Sequence, residues 1–341
     1  MRITVKTVGL GLLIAAVILV AVALTAVGWE VVLGPKARPV SSTPFEVTDA
    51  RLVRGKYLVE GPMHCFLCHS EHDVTTPEYP VIQSKKGAGW RMPIAELNYI
   101  SARNITPDVE TGIGSWSDDE IARAIREGVR KDGTALFPLM PYLDFATLDD
   151  EDVKAIVVYL RTIPPVRNVV AKRQLPGPLE YLVNTMPQPI TAPQPSHPSG
   201  TPAERGKYLV TLAGCGACHT ASVDGEPLPG FAFGGGEHFS DLATSTDLVS
   251  MNITPDPSGI AHYDEAFLKQ TLRTGRVGGR ILNHVMPFEW FRNMTDEDIG
   301  DIWAYLQTIT PVKHRVSNTD PPTPCPVCNR SHGLGDLNVK P

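Results

Sequence analysis

RGKYLVEGPMHCFLCH runs from Arg54 to His69, and RGKYLVTLAGCGACH from Arg205 to His219. The two stretches share a hexapeptide and then a C-x-x-C-H pentad. Moving outward, NITPD stands at 104–108 and again at 252–256, and FPLMPY at 137–142 answers NHVMPF at 283–288. TLDDEDVKAIVVYLRTIPPV at 147–166 aligns with NMTDEDIGDIWAYLQTITPV at 293–312. Five matched blocks in one order define a tandem duplication of a unit of roughly 110 residues.

Each unit reads as mainly α. The closing block has helical apolar spacing, Val153, Ile156, Val157 and Leu160 in one copy and Ile299, Ile302, Trp303 and Leu306 in the other. Thr147 or Asp149 can cap the first of these helices and Thr295 or Asp296 the second, while Pro164 and Pro311 stop them. RGKYLV opens the other helix, whose end delivers the cysteines. Tyr57 with Tyr159, and Tyr208 with Tyr305, are expected to pack where first and last helices cross. No strand-rich pattern competes.

A C-x-x-C-H pentad is the attachment signature of c-type haem: two thiols add across the porphyrin vinyl groups and the adjacent His ligates the iron. Cys65, Cys68 and His69 are therefore expected to hold one haem, and Cys215, Cys218 and His219 a second. A redox dithiol or half of a zinc site is the bland alternative for a single pentad, and two pentads at matching places weigh against it. Only Met140 and Met286 occupy equivalent places late in each unit, each followed by Pro and an aromatic residue, and they are the expected sixth ligands. Met63, Met92, Met251 and Met294 have no counterpart, and His284 is the one rival on the second haem. His/Met ligation raises the potential and leaves no open iron position. NITPD reads as a turn, walling the haem pocket or purely structural.

The formal net charge of −6, with no basic run, gives no reason to expect a nucleic-acid partner. The 31 prolines require much loop and linker. Arg2 and Lys6 precede an apolar stretch from Val8 to Trp29, near the roughly 20 residues that cross a bilayer. The expectation is an uncleaved anchor with an N-terminus held cytoplasmic by its charge; a cleaved signal ending near Ala21 and Ala23 is the alternative. The expected division is anchor and lead (1–33), linker (34–50), first domain (51–166), Pro-rich connector (167–202), second domain (203–316) and tail (317–341). The linker is long enough to let the domains stand off a bilayer.

Cys325 and Cys328 form a third C-x-x-C pair, followed by Asn329 where a proximal His would stand. A third haem is excluded. A local disulfide leads the readings, with a metal clip using His332 and a partner-binding or vestigial tail left open.

The combination of C-x-x-C-H, NITPD, late M-P and the closing TDEDI helix resembles the cytochrome c subunits of bacterial membrane-bound alcohol, gluconate and related sugar dehydrogenases. Each unit is similar to a class I cytochrome c domain. The resemblance covers roughly residues 50–315 and implies two tandem class I domains behind a transmembrane helix, with two covalently bound haem c groups. It further implies an electron relay at the inner membrane with its haem domains on the periplasmic side, between a periplasmic dehydrogenase or quinol-oxidising complex and an oxidase or soluble carrier. Those subunits characteristically carry three haems, and this chain departs from them in having two pentads. A di-haem peroxidase or thiosulfate-type oxidoreductase, and a haem-bearing structural subunit of a respiratory complex, are the competing functions.

Overall fold

Helix α1, Val5–Val27, opens the computed structural model, which describes residues 5–76, 78–91, 100–194, 200–223, 225–241, 244 and 246–339. Among the described residues no helix is long and apolar enough to cross a membrane. The described side chains of α1, residues 12–26, are almost all apolar. Within that window Leu12, Val17, Leu19 and Val22 are more than half exposed.

The segment after α1, the expected linker, is tied to the first unit. Arg38 reaches Asp119 Oδ1 at 2.6 Å and Glu127 Oε1 at 2.7 Å, and Phe45 N donates to Asp118 Oδ2 at 2.8 Å. Glu127 is only 1% exposed, so its charge depends on the Arg38 guanidinium. Arg38 and the backbone amides of Ser41 and Phe45 thus fasten the lead to the first unit.

In the first unit Thr48 caps helix α2, Asp49–Glu60, and Ser117 forms a capping box on α3, Asp118–Glu127. Asp149 caps α4, Asp150–Leu160. The second unit repeats this with α5, Pro202–Leu212, capped by Thr201; α6, Glu265–Thr274, capped by Asp264; and α7, Asp296–Leu306, capped by Thr295. RGKYLV lies inside α2 and α5, not at their starts, because Thr48 and Thr201 offer the hydroxyl that the first amides need. First and last helices cross in each unit at a glycine. A Cβ on Gly55 would stand 2.0 Å from the carbonyl oxygen of Ala155, and one on Gly206 would stand 1.9 Å from that of Asp301. Arg54 forks onto Asp152 (2.7 and 2.7 Å), and Arg205 onto Asp301 (2.6 and 2.7 Å), beside the crossings. Leu58, Phe66, Ile156 and Val157 centre the first core, and Leu209, Ile299, Ile302 and Leu306 the second.

The tyrosines do more than pack. Tyr208 donates to Asp152 Oδ2 at 2.9 Å and accepts from Asp149 N at 3.3 Å. Tyr57 donates to Asp298 and accepts from Thr295 N at 3.3 Å. Each phenol therefore caps the closing helix of the other unit, and Tyr208 and Leu212 are buried in the first unit's core.

Four two-stranded antiparallel hairpins occur among the described residues, all in the second half: β1 Ser222–Val223 with β2 Glu226–Pro227, β3 His238–Ser240 with β4 Asp247–Val249, β5 Arg276–Val277 with β6 Arg280–Ile281, and β7 Ser317–Pro324 with β8 Ser331–Gly333. Most are two or three rungs long, too short to print an alternating pattern in a sequence. The connector is held by Leu175 and Val183, buried against Ile100 and Ala135 of the first unit.

Candidate cofactor sites

Both pentads follow a residue in the left-handed region, His64 (φ 35°) in one unit and Gly214 (φ 64°) in the other, which turns the chain from the helix end into the C-x-x-C turn. The non-glycine is steadied: His64 Nδ1 donates to Pro62 O at 2.9 Å, and its ring meets Phe291 of the other unit edge-on. The proximal histidines are then set alike. Nδ1 of His69 donates to Arg103 O at 2.6 Å, and Nδ1 of His219 to Met251 O at 2.7 Å. Committing Nδ1 to a carbonyl leaves Nε2 with a free lone pair and a fixed direction, the arrangement of a metal-ligating imidazole. Burial also lowers both histidines from their ordinary value, against the raising effect of those carbonyls, which favours the neutral ligating form.

NITPD explains how those carbonyls are held. Asn104 is buried; its Oδ1 accepts from Thr106 N (2.9 Å) and its Nδ2 donates to Val166 O (2.8 Å), just past α4. Asn252 does the same with Thr254 N (2.9 Å) and Val312 O (2.7 Å) past α7. The residue before each Asn carries the carbonyl that the proximal His needs. Gly89 and Gly235, at φ 75° and 71°, donate to the backbone oxygens of His69 and His219 (2.8 Å each). A Cβ at either glycine would come within 2.6 Å of the NITPD backbone. The motif is both a buried turn and the seat of the histidine.

The Met140 and Met286 loops have the same backbone. Each Met N donates to the residue three before it (Phe137 O and Asn283 O, 3.1 Å each), and the following prolines sit at φ −78°, ψ 48° and φ −79°, ψ 46°. Met140 packs on the core that Cys65 also contacts, and Met286 on the core that Cys215 contacts. Among the rivals, Met63 and Met294 are buried members of the same two cores, at 3% and 2% exposure, and Met251 lies against Asn318. Met92 lies outside the described residues. His284 meets Tyr79 edge-on and Phe288 at a tilt, with Nδ1 3.1 Å from Glu289 Oε1 but not aligned for a hydrogen bond.

The paired thiols are partly accessible yet ringed by protein, and burial followed by the neighbouring Cys68 pushes Cys65 up to about 12. Burial and then Cys218 push Cys215 to about 12 as well. A redox dithiol needs the opposite shift. Burial, then the Cys218 thiol of the other unit, raises Cys68 to about 11. Beside the first attachment turn lies a cleft of about 280 Å3, lined by Glu60, Leu67, Tyr79, Lys86, His284 and Trp290 among others.

Glu60 anchors that cleft. Burial opposes its ionisation, but hydrogen bonds from Lys56, Lys86 and Tyr159 outweigh burial and hold the carboxyl at about 2. A carboxyl lowered in the folded state contributes stability above its unfolded value of 4.5 and loses it as pH falls toward 2. Thermal unfolding between those limits should show a falling midpoint that is shallower in Glu60→Gln; equal slopes would contradict this role.

The donor set of each unit, two thiols, an imidazole with Nε2 left free and a thioether opposite in sequence, suits a covalently bound iron porphyrin. Two buried donors without partners among the described residues, Trp90 Nε1 and the Tyr142 hydroxyl, flank the first unit's histidine seat and methionine loop and suit an acidic group at the porphyrin edge. Residues 203–310 match the cytochrome c family model, so the second unit is a cytochrome c domain, and covalent haem c goes with it. More particularly, the chain is similar to the gluconate 2-dehydrogenase cytochrome c subunit of Pantoea cypripedii, 30% identical over 77% of this chain and 60% of that protein. It is also similar to the fructose dehydrogenase cytochrome subunit of Gluconobacter japonicus, 29% identical over 80% of this chain and 56% of that one. A diheme cytochrome c-type protein of Cereibacter sphaeroides is 27% identical over 54% of this chain and 62% of its own length. The chain thus spans about 60% of the length of the first two relatives.

Sequence reasoning did not single out Arg103 and Met251, whose backbone oxygens seat the histidines, and no side-chain signal could have done so. It also passed over His314. Cys325 and Cys328 are not joined to each other, contrary to the disulfide expectation, and both are buried.

Proposed function

We propose that the chain is a di-haem electron carrier, with Cys65, Cys68, Cys215 and Cys218 attaching two haem c groups and His69/Met140 and His219/Met286 as the axial pairs. The observation that carries this is the matched seating of His69 and His219, each with Nδ1 on a backbone carbonyl and Nε2 free. Bound haem supplies a one-electron iron couple. The chain's own residues fix the axial donors and enclose the attachment thiols. With both axial positions filled, no iron site remains for peroxide, which disfavours the peroxidase reading.

The similarity to cytochrome subunits of gluconate and fructose dehydrogenases supports a dehydrogenase as the electron donor, and an oxidase or soluble carrier is the proposed acceptor. The apolar stretch from Val8 to Trp29 behind Arg2 and Lys6 is the sequence ground for an inner-membrane anchor, with the two domains, 51–166 and 203–316, on the periplasmic side. The test is a redox titration of the purified protein with haem quantitation and visible spectra. Two six-coordinate haems of high potential, each with a methionine–iron band, are expected; a five-coordinate or low-potential centre would turn the assignment toward catalysis.

A further inference from the structure

The C-terminal tail brings together four side chains that the electron-transfer reading does not use. His314, Cys325, Cys328 and His332 are 0%, 3%, 0% and 1% exposed. One ligand atom from each lies within 4.8 Å of all the others. His314 Nε2 stands 3.1 Å from His332 Nε2 and 3.5 Å from Cys325 Sγ.

The protonation pattern makes this cluster hard to explain on its own. His314 Nδ1 lies 2.8 Å from Gly234 O, and His332 Nδ1 lies 3.0 Å from Gly333 O. A carbonyl can only accept, so both Nδ1 atoms carry the proton. Both Nε2 atoms are then bare lone pairs, facing one another at 3.1 Å in a buried site. Two acceptors at that separation repel unless a cation sits between them. Asn338 Nδ2 donates to Cys325 Sγ at 3.5 Å, support of the kind that steadies a thiolate ligand.

The spacings fit one particular cation geometry. Tetrahedral bonds of ~2.0–2.1 Å to nitrogen and ~2.3 Å to sulfur place two nitrogens ~3.3 Å apart and a nitrogen and a sulfur ~3.6 Å apart. The observed separations of 3.1 and 3.5 Å lie close to both. We propose that His314, Cys325, Cys328 and His332 bind one zinc ion in a closed Cys2His2 site. Four protein ligands leave no open position, so the site is structural.

Its role follows from what the tail lacks. Strand β7 is SNTDPPTP, with no large apolar side chain, and the buried cluster beneath the tail is small: Ala221, Phe231, Val312, Cys325 and Cys328. So little apolar burial cannot order some 20 residues, whereas metal binding supplies folding free energy directly. The clamp also touches the second haem site. Gly234, whose oxygen receives His314, precedes Gly235, whose N–H bonds His219 O, and Asn252 Nδ2 donates to His314 O at 3.2 Å.

The test is metal analysis of the full-length, haem-loaded protein purified without chelator, with X-ray absorption at the zinc edge. The expected result is one zinc per chain, with two sulfur and two nitrogen neighbours. Cys325→Ser/Cys328→Ser should lose at least ~10-fold in zinc occupancy while keeping both haems, and Asn338→Ala should weaken retention against a competing chelator by ~10–100-fold. Should the double variant not fold, chelator treatment of the unaltered protein is read instead, by protease cleavage within 317–339 appearing as zinc leaves. Absence of zinc, a shell of oxygen and nitrogen only, or a Cys325–Cys328 disulfide found by alkylation and mass spectrometry would overturn the proposal.

Discussion

Met140→Ala and Met286→Ala will each leave both haems covalently attached and lower the midpoint potential of one centre. Attachment depends on the cysteines, which lie in a different turn from the methionine loops. The thioether favours ferrous iron, so its removal shifts the couple downward. Axial ligation moves haem potentials over a span of ~0.8 V, and a drop of a tenth of that or more is expected. The same variants should acquire carbon monoxide binding at one haem, since a coordination position opens. His284→Ala, removing the rival, should leave both potentials in place, because that ring is engaged with Tyr79 and Phe288. A redox titration with heme-stained denaturing gels reads all three variants; unchanged potentials in the methionine variants would remove those residues from the iron.

Gly206→Ala is expected to destabilise the protein by at least ~3 kcal/mol, although alanine is the better helix former by ~1 kcal/mol. The added Cβ would lie 1.9 Å from the Asp301 carbonyl oxygen and 2.4 Å from its carbon. Both are backbone atoms of α7, so relief requires the helices to move apart and strips Arg205 from Asp301. Gly55→Ala meets the Ala155 carbonyl at 2.0 Å and should behave alike. Gly300, also inside α7, is the control. Its Cβ would meet only the Glu265 carboxylate at 3.1 Å, the mobile end of a side chain, so Gly300→Ala should be neutral or mildly stabilising. Denaturant unfolding distinguishes the three; a stabilised Gly206→Ala would mean that the helices are not in contact there.

The features legible in the sequence are those that repeat or obey a local rule. The closing helices are found where their caps and apolar spacing placed them, with Asp149 and Thr295 as the cap residues and Val153, Ile156, Ile299 and Ile302 buried. What escaped notice depends on pairings distant in the chain. Arg38 is an ordinary surface residue until Glu127, 89 positions away, proves to be buried beside it. The hairpins are too short for a periodic signal, and the tail has almost no apolar pattern to read. His314 has no counterpart in the first unit, so the repeat that picked out both methionines was blind to it. Tyr57 and Tyr208 were noticed but assigned to their own units, because nothing local to a tyrosine indicates that its hydroxyl reaches into a neighbour.

That tyrosine exchange has a further consequence. The two halves contact each other through the same patch, a phenol in RGKYLV and the amide end of a closing helix, each half both giving and receiving. A contact of this kind is isologous, the form that closes a twofold dimer. A fragment comprising the second domain alone carries both halves of the lock, Tyr208 and the Thr295 amide with Asp298. Two copies of it can therefore satisfy one another as the covalent pair does, so the chain is organised as a homodimer whose protomers were joined end to end and then allowed to differ.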